Sequence, residues 1–184
     1  MMRILLTIIG LTILSSAQAN DTIWMTRAGH IYFISHTDII DIDAHNYQVG
    51  SMLNGKTGQM AFSLLMKTFE FTLPLAEEHF NENYVESEKY PKSTFTGQIV
   101  NFDPEKLRSA EPYQVVVEGD LTIHGVTKKV KEKGTLTRED GAIRAVARFS
   151  IQLSEYKIKI PSIVADRVNP VIPIDVEMIY KPRE

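Results

Sequence analysis

An alternation of apolar and polar residues, returning in segment after segment, is the feature that most limits the folds open to this chain. The longest run spans residues 143–153, and shorter runs occupy residues 60–66 and 113–123. Successive side chains of a β-strand point to opposite faces, so a strand with one apolar face is half buried. Many short strands of this kind predict an antiparallel β-sandwich or β-barrel. Asp140-Gly141, placed between two such runs, predicts a tight hairpin turn.

Two segments depart from the alternation. Residues 74–84 begin with a proline, carry acidic residues behind it and place Phe80 and Tyr84 four positions apart. These features favour a short helix, which we expect to cover an end or a side of the strands. Residues 154–173 are irregular and contain Pro161, Pro170 and Pro173. This segment predicts a flap over an opening.

The first nineteen residues have the pattern of a secretory signal peptide. Arg3 supplies a positive charge, Ile4–Leu14 an apolar core, and Ala17-Gln18-Ala19 a small-residue cleavage sequence. The apolar run is shorter than the roughly twenty residues that span a bilayer. We therefore expect residues 1–19 to be removed and residues 20–184 to form one domain in the periplasm or outside the cell.

Composition excludes several functions. The chain has no cysteine, which excludes disulfides, thiol catalysis, cysteine-ligated metals and a lipid anchor on an N-terminal cysteine. The formal net charge is −3 and the basic residues are scattered, a pattern that does not favour nucleic-acid binding. No serine stands in a G-x-S-x-G elbow. We therefore expect neither enzymatic activity nor a cofactor other than a bound lipid.

One short segment is rich in potential metal ligands. Two histidines and three aspartates lie between His36 and His45, and these side chains suit zinc or a similar ion. In a strand, however, Asp41, Asp43 and His45 share one face while isoleucines occupy the other. A strand with a solvated outer face explains the pattern, so we expect no metal site.

Two motifs in the middle of the chain resemble those of a known family. Residues 121–128, Leu-Thr-Ile-His-Gly-Val-Thr-Lys, and residues 88–97, Glu-Lys-Tyr-Pro-Lys-Ser-Thr-Phe-Thr-Gly, look like the YceI-like family of lipid-binding barrels. His79-Phe80 and the closing residues 172–178, Ile-Pro-Ile-Asp-Val-Glu-Met, are also similar. The resemblance extends over roughly residues 23–180.

The resemblance implies an all-β fold, an antiparallel lipocalin-like β-barrel of about eight strands with one short helix, around a long apolar molecule. A barrel of about eight strands is either filled by its own side chains or holds one ligand. The alternation alone does not distinguish these interiors, and methionines adapt well to an irregular apolar ligand. Together with the resemblance, the inward-facing residues predict a lipid tunnel lined by Phe33, Met60, Phe62, Met66, Phe69, Phe71, Phe95, Phe149 and Ile151.

Three polar residues are candidates for the ligand head group. His124 lies in the turn of the first motif, and Tyr156 and Asp166 lie in the irregular segment. If they meet at the mouth of the barrel, they can hydrogen-bond the polar end of a lipid. The alternative for a turn histidine is a hydrogen bond to backbone carbonyls.

The resulting hypothesis is a periplasmic or secreted carrier that sequesters a polyisoprenoid, an isoprenoid quinone or a fatty-acid derivative. Its expected partner is an apolar small molecule, without nucleic acid or stable membrane insertion, and homodimer formation stays open. One alternative is a filled barrel that acts as a protein-interaction or envelope stress module. The other is an enzyme acting on a small hydrophobic substrate.

Overall fold

The computed structural model describes residues 23–183, so the predicted signal peptide, residues 1–19, lies outside the described residues. The fold is all-β, with one short helix, α1, at Pro74–His79 that continues into a π-helical turn at Phe80–Tyr84. The strands are β1 Ile23–His36, β2 Asp41–Asn54, β3 Gln59–Leu65, β4 Glu70–Phe71, β5 Lys92–Ile99, β6 Tyr113–Ile123, β7 Val126–Glu139, β8 Ala142–Gln152 and β9 Val171–Pro182.

Eight of these strands form a closed antiparallel barrel. The hydrogen-bonded order is β1-β9-β8-β7-β6-β5-β3-β2, and pairing of β2 with β1 closes it. The ninth strand, β4, has only two residues and pairs with β2 beyond the part of β2 that β3 occupies. The predicted antiparallel barrel of about eight strands with one short helix is therefore confirmed.

Left-handed residues form the tightest turns of the barrel. At the β7–β8 turn Asp140 and Gly141 have φ angles of 47° and 80°, and at the β6–β7 turn His124 and Gly125 have φ angles of 51° and 70°. Two successive residues with positive φ are the requirement of a two-residue hairpin turn whose twist matches that of the strands. The Asp-Gly prediction is therefore confirmed.

A close contact between two glycines shapes the interior of the wall. Gly97 of β5 faces Gly119 of β6, and the Phe95 ring lies over both. A Cβ atom on Gly97 would lie 2.6 Å from the tip of that ring, and one on Gly119 would lie 2.7 Å from it. Glycine at both positions thus leaves the Phe95 ring flat against the barrel wall.

The two ends of the barrel differ. The filled end carries the β2–β3, β5–β6 and β7–β8 connections, and its interior is closed by buried side chains, among them Trp24, Leu53, Ile143 and Tyr180. The covered end carries the β1–β2 and β6–β7 turns and the two long connections, residues 66–91 and 153–170. These two long connections lie over the end of the barrel that holds the candidate site.

Candidate functional site

The covered half of the barrel encloses a cavity of about 430 Å³. This volume lies in the range of about 300–1,000 Å³ that is typical of small-molecule sites. Alternate residues of β1, β3 and β8 supply much of the wall, as their period of two requires. The walls include Ile31, Phe33, Phe62, Leu64, Leu121, Phe149, Ile151 and Ile174.

The nine predicted tunnel residues line two neighbouring cavities. Seven of them line the larger cavity: Phe33, Phe62, Met66, Phe69, Phe71, Phe149 and Ile151. Met60 and Phe95 line a smaller cavity of about 90 Å³ towards the filled end. Phe62, Leu121 and Phe149 line both cavities, so the two spaces meet at these side chains.

An aromatic cluster attaches the helical segment to the barrel. The Phe80 ring centroid lies 5.7 Å from that of Phe33, 5.5 Å from that of Phe69 and 5.0 Å from that of Phe71. Offset and edge-to-face pairs at such distances add roughly 0.5–1.5 kcal/mol to the free energy of burial. Residues 74–84 thus form part of the cavity wall, as a cover over one end.

The mouth of the cavity has an apolar rim. Ile40, Leu73 and Leu75 line the cavity and are also exposed to solvent, Leu75 to 62% of its surface. Ile163 is 87% exposed beside Val164, which lines the cavity. The predicted flap does contribute cavity residues, namely Ile158, Val164, Arg167 and Val168.

Two serines of the cavity wall are hydrogen-bonded within the protein. The Ser93 hydroxyl donates to the Thr122 carbonyl over 2.8 Å, and the Ser35 hydroxyl oxygen accepts from the Asn169 amide over 2.9 Å. These bonds satisfy the serine hydroxyls without a ligand. The wall therefore offers an apolar ligand extensive contact and few competing polar groups.

The three residues predicted to hold a head group do not line either cavity. His124 Nε2 lies 2.7 Å from a Glu86 carboxylate oxygen, its Nδ1 lies 3.0 Å from the Tyr156 carbonyl, and the Tyr90 ring packs against it. The hydrogen bond from His124 lowers the pKa of Glu86. His124 thus joins the beginning of the flap to the segment behind the helix.

Tyr156 and Asp166 also lie away from the cavity surface. The Tyr156 side chain is buried, which raises the pKa of its hydroxyl. Asp166 is exposed, next to the cavity-lining Arg167. The head-group prediction for the three residues therefore receives no support from their positions.

The histidine and aspartate segment is dispersed over the outer surface. His36 pairs with Asp41 near the β1–β2 turn, while His45 hydrogen-bonds His30 over 2.9 Å and stacks on Tyr47. Burial and the neighbouring His45 lower the pKa of His30. Within residues 23–183, no group of three or more histidine, cysteine or acidic side chains is arranged to hold a metal ion.

Sequence reasoning missed the cavity residues contributed by the connections. Leu73, Leu75 and Ala76 come from the helical segment, and Val164 and Val168 from the flap. Their spacing follows no strand alternation, so only the apolar character of residues 73–76 gave a signal. Among the described residues, no helix combines the length and the apolar composition needed to cross a membrane.

Comparison with known proteins identifies the family. The model of the YceI-like domain matches residues 27–179. A polyisoprenoid binding domain from Saccharophagus degradans, implicated in plant cell wall breakdown, superposes with a TM-score of 0.75 at 14% identity, covering 88% of this chain and 98% of that one.

Two further solved structures share the fold. Burkholderia cenocepacia BcnA gives a TM-score of 0.69 at 12% identity, covering 82% of this chain and 95% of that one. The Campylobacter jejuni YceI protein gives 0.57 at 14% identity, covering 100% and 99%. A comparison with curated protein sequences finds no match.

Proposed function

This chain belongs to the YceI-like family, and we propose that it is a carrier that sequesters one long apolar molecule inside its barrel. The observation that carries the proposal is the cavity of about 430 Å³, lined almost throughout by apolar side chains. A barrel that served only as a scaffold for protein interactions would gain stability by filling this space, because cavities in a core are destabilising. The cavity therefore favours the carrier over the filled-barrel alternative.

Burial of an apolar chain supplies the driving force for binding. Each methylene removed from water contributes about 0.8 kcal/mol, which for a long chain exceeds the cost of ordering it. The carrier would select its ligand by the length and shape of the tail. Since the Saccharophagus degradans domain with the same fold is a polyisoprenoid binding domain, we favour an isoprenoid, including an isoprenoid quinone, over a fatty-acid derivative.

The proposed carrier works without catalysis and without a cofactor other than its lipid. In support, the Ser93 hydroxyl of the wall donates to the Thr122 carbonyl, and the Ser35 hydroxyl oxygen accepts from the Asn169 amide. We place the carrier in the periplasm or outside the cell, on the strength of the signal sequence in residues 1–19. Sequencing of the exported protein should give an N-terminus at Asn20, and one at Met1 would contradict this location.

Mass spectrometry of the purified protein tests the carrier proposal. Protein from its native compartment is analysed intact under native conditions and again after solvent extraction. We expect one lipid of constant mass per chain, with an isoprenoid fragmentation pattern. A chain that carries no lipid, and takes up none when incubated with isoprenoids in detergent, would contradict the proposal. Turnover of the lipid during incubation would instead indicate the enzyme alternative.

A further inference from the structure

The ladder of backbone hydrogen bonds between β7 and β8 covers only part of the two strands. Their backbone pairing ends at Gly134↔Ala147, whereas β7 remains paired with β6 as far as Val126. Within the described chain, residues 126–133 of β7 therefore have no strand pairing on the β8 side. We call the gap between this stretch and residues 148–152 of β8 the seam.

The smaller cavity reaches the seam. It is lined by Glu132 and Gly134 of β7 and by Ala147 and Phe149 of β8. Gly134 and Ala147 also line a groove on the outer surface of the barrel, so the wall is thin at this point. Since Phe149 lines the larger cavity as well, a chain lying there would direct one end towards the seam.

Glu132 and Lys133 are the two charged residues of this otherwise largely apolar lining, and Glu132 is the one on the inward face of β7. Its register opposite Val117 places it on the same face of β7 as the buried Leu136, and it is half-buried. Neighbouring charges on the outer face are paired, Lys131 with Glu118 and Lys129 with Asp120. Glu132 forms no hydrogen bond or ion pair with another residue between 23 and 183, and its electrostatic neighbour is the hydroxyl of Tyr156.

A carboxylate in this position is costly for the protein alone. Burial raises the pKa of Glu132, because its charged form is poorly solvated there. A half-buried carboxylate is stabilised most by a partner that donates a hydrogen bond to it, because hydrogen bonds to ionised groups are stronger than those between neutral groups. The seam thus places an unpaired acceptor in the lining of the smaller cavity, next to the larger one.

From this geometry we infer that the Glu132 carboxylate receives the polar end of the ligand at the seam, and that this end is a hydrogen-bond donor such as an amine or a hydroxyl group. A carboxylate or phosphate head group would be repelled by the same residue. The inference rests on the proposed carrier function. It adds a ligand class to that function, namely long apolar chains that end in a hydrogen-bond donor.

A competition experiment with chains of equal length tests the inference. Delipidated protein is incubated in detergent with an equimolar mixture of hexadecylamine, 1-hexadecanol and hexadecanoic acid, and the retained lipids are quantified by mass spectrometry. Glu132→Gln keeps the size of the side chain and removes its charge. Glu118→Gln is the matched control, because Glu118 lies on the outer face of β6 and pairs with Lys131. Thermal unfolding confirms that each variant is folded.

We expect the wild type and Glu118→Gln to retain amine and alcohol over acid by about tenfold, the worth of one charge-assisted hydrogen bond. Glu132→Gln should lose the preference for amine over acid, and Glu132→Asp should retain most of it. An unchanged ratio in Glu132→Gln would overturn the role of Glu132 while leaving the carrier function standing. If neither the wild type nor Glu118→Gln retained any of the three lipids, this inference would fall, whereas the carrier function would still be decided by the incubation with isoprenoids described above.

Discussion

The filled end and the covered end of this barrel are built from the same eight strands, with the same inward alternation of apolar residues, yet the first leaves a cavity of only about 90 Å³ and the second encloses about 430 Å³. At the filled end, Leu53 is 1% exposed and Ile143 is fully buried. At the covered end, inward residues such as Phe33 and Phe149 are only partly buried, since their surfaces line the cavity. At the covered end the strands surround the cavity, and the helical segment and the flap cover it.

The difference shows that inward alternation makes a barrel but does not by itself fill it. Filling depends on side chains that reach across the barrel and on polar groups that find partners there. The Tyr180 hydroxyl of β9 finds such a partner at the filled end, 2.7 Å from the Ser51 hydroxyl on β2, with β1 between the two strands. The comparison predicts that substitutions at the filled end affect stability and those at the covered end affect ligand retention.

The largest effect is expected from Leu53→Ala at the filled end. Truncation of a buried leucine leaves a cavity that the surroundings only partly fill, which costs about 2–5 kcal/mol. Urea unfolding should show this loss, and lipid retention in the folded variant should fall less than after substitutions in the larger cavity, because Leu53 lines only the smaller one. Met52→Ala, at the exposed neighbouring position, should change the free energy of unfolding by about 0.5 kcal/mol or less. Equal losses of unfolding free energy in Leu53→Ala and Met52→Ala would show that the interior of the filled end is not tightly packed.

Alkaline pH should destabilise the filled end through Tyr180. Burial raises the pKa of its hydroxyl to about 12, against about 10 for tyrosine in an unfolded chain. The unfolded state therefore loses its proton first, and stability falls as pH rises from about 10 to about 12, by about 2–3 kcal/mol. Tyr180→Phe should lower stability at neutral pH but reduce this alkaline loss. If wild type and variant lost stability in parallel above pH 10, the tyrosine would not be the group responsible.

The double variant Phe62→Ala with Phe149→Ala tests the hollow end. In a filled core, each truncation would cost about 3–5 kcal/mol. Because both rings line the cavities, we expect the two together to cost less than Leu53→Ala alone, about 2 kcal/mol or less, while the amount of retained lipid falls severalfold. The measurements are thermal unfolding and lipid quantification. Loss of the fold would show instead that the covered end is packed like the filled end.

The smallest effect on stability is expected at the turn histidine. His124→Ala removes the bonds to Glu86 and to the Tyr156 carbonyl, which connect the two segments that close the cavity. We expect faster lipid release with little change in the midpoint of thermal unfolding. Since His124 does not line the cavity, relative affinities for a quinone, a free acid and a plain isoprenoid should stay constant. A selective loss of affinity for one head group would support the prediction that His124 contacts the ligand.

Local chemistry in the sequence was enough to predict the strands and the faces they bury. The period of two assigned Phe62, Phe149 and Ile151 to the interior, because neighbouring side chains of a strand cannot point the same way. Asp140-Gly141 predicted its turn, because two residues with positive φ are needed there. The motifs around residues 88–97 and 121–128 resembled a family that the match over residues 27–179 confirms.

The tertiary structure alone decided which part of the interior is empty and which polar group faces it. Whether Phe149 touches a side chain of the opposite wall or lines a cavity depends on the width of the barrel and on the position of the flap. Neither is encoded in the residues adjacent to Phe149. Likewise, the alternation gives Glu132 an inward position, but only the packing of distant segments decides which residues surround its side chain there. Strand faces are set by neighbours along the chain, whereas cavities and unpaired charges are set by contacts between residues distant in sequence.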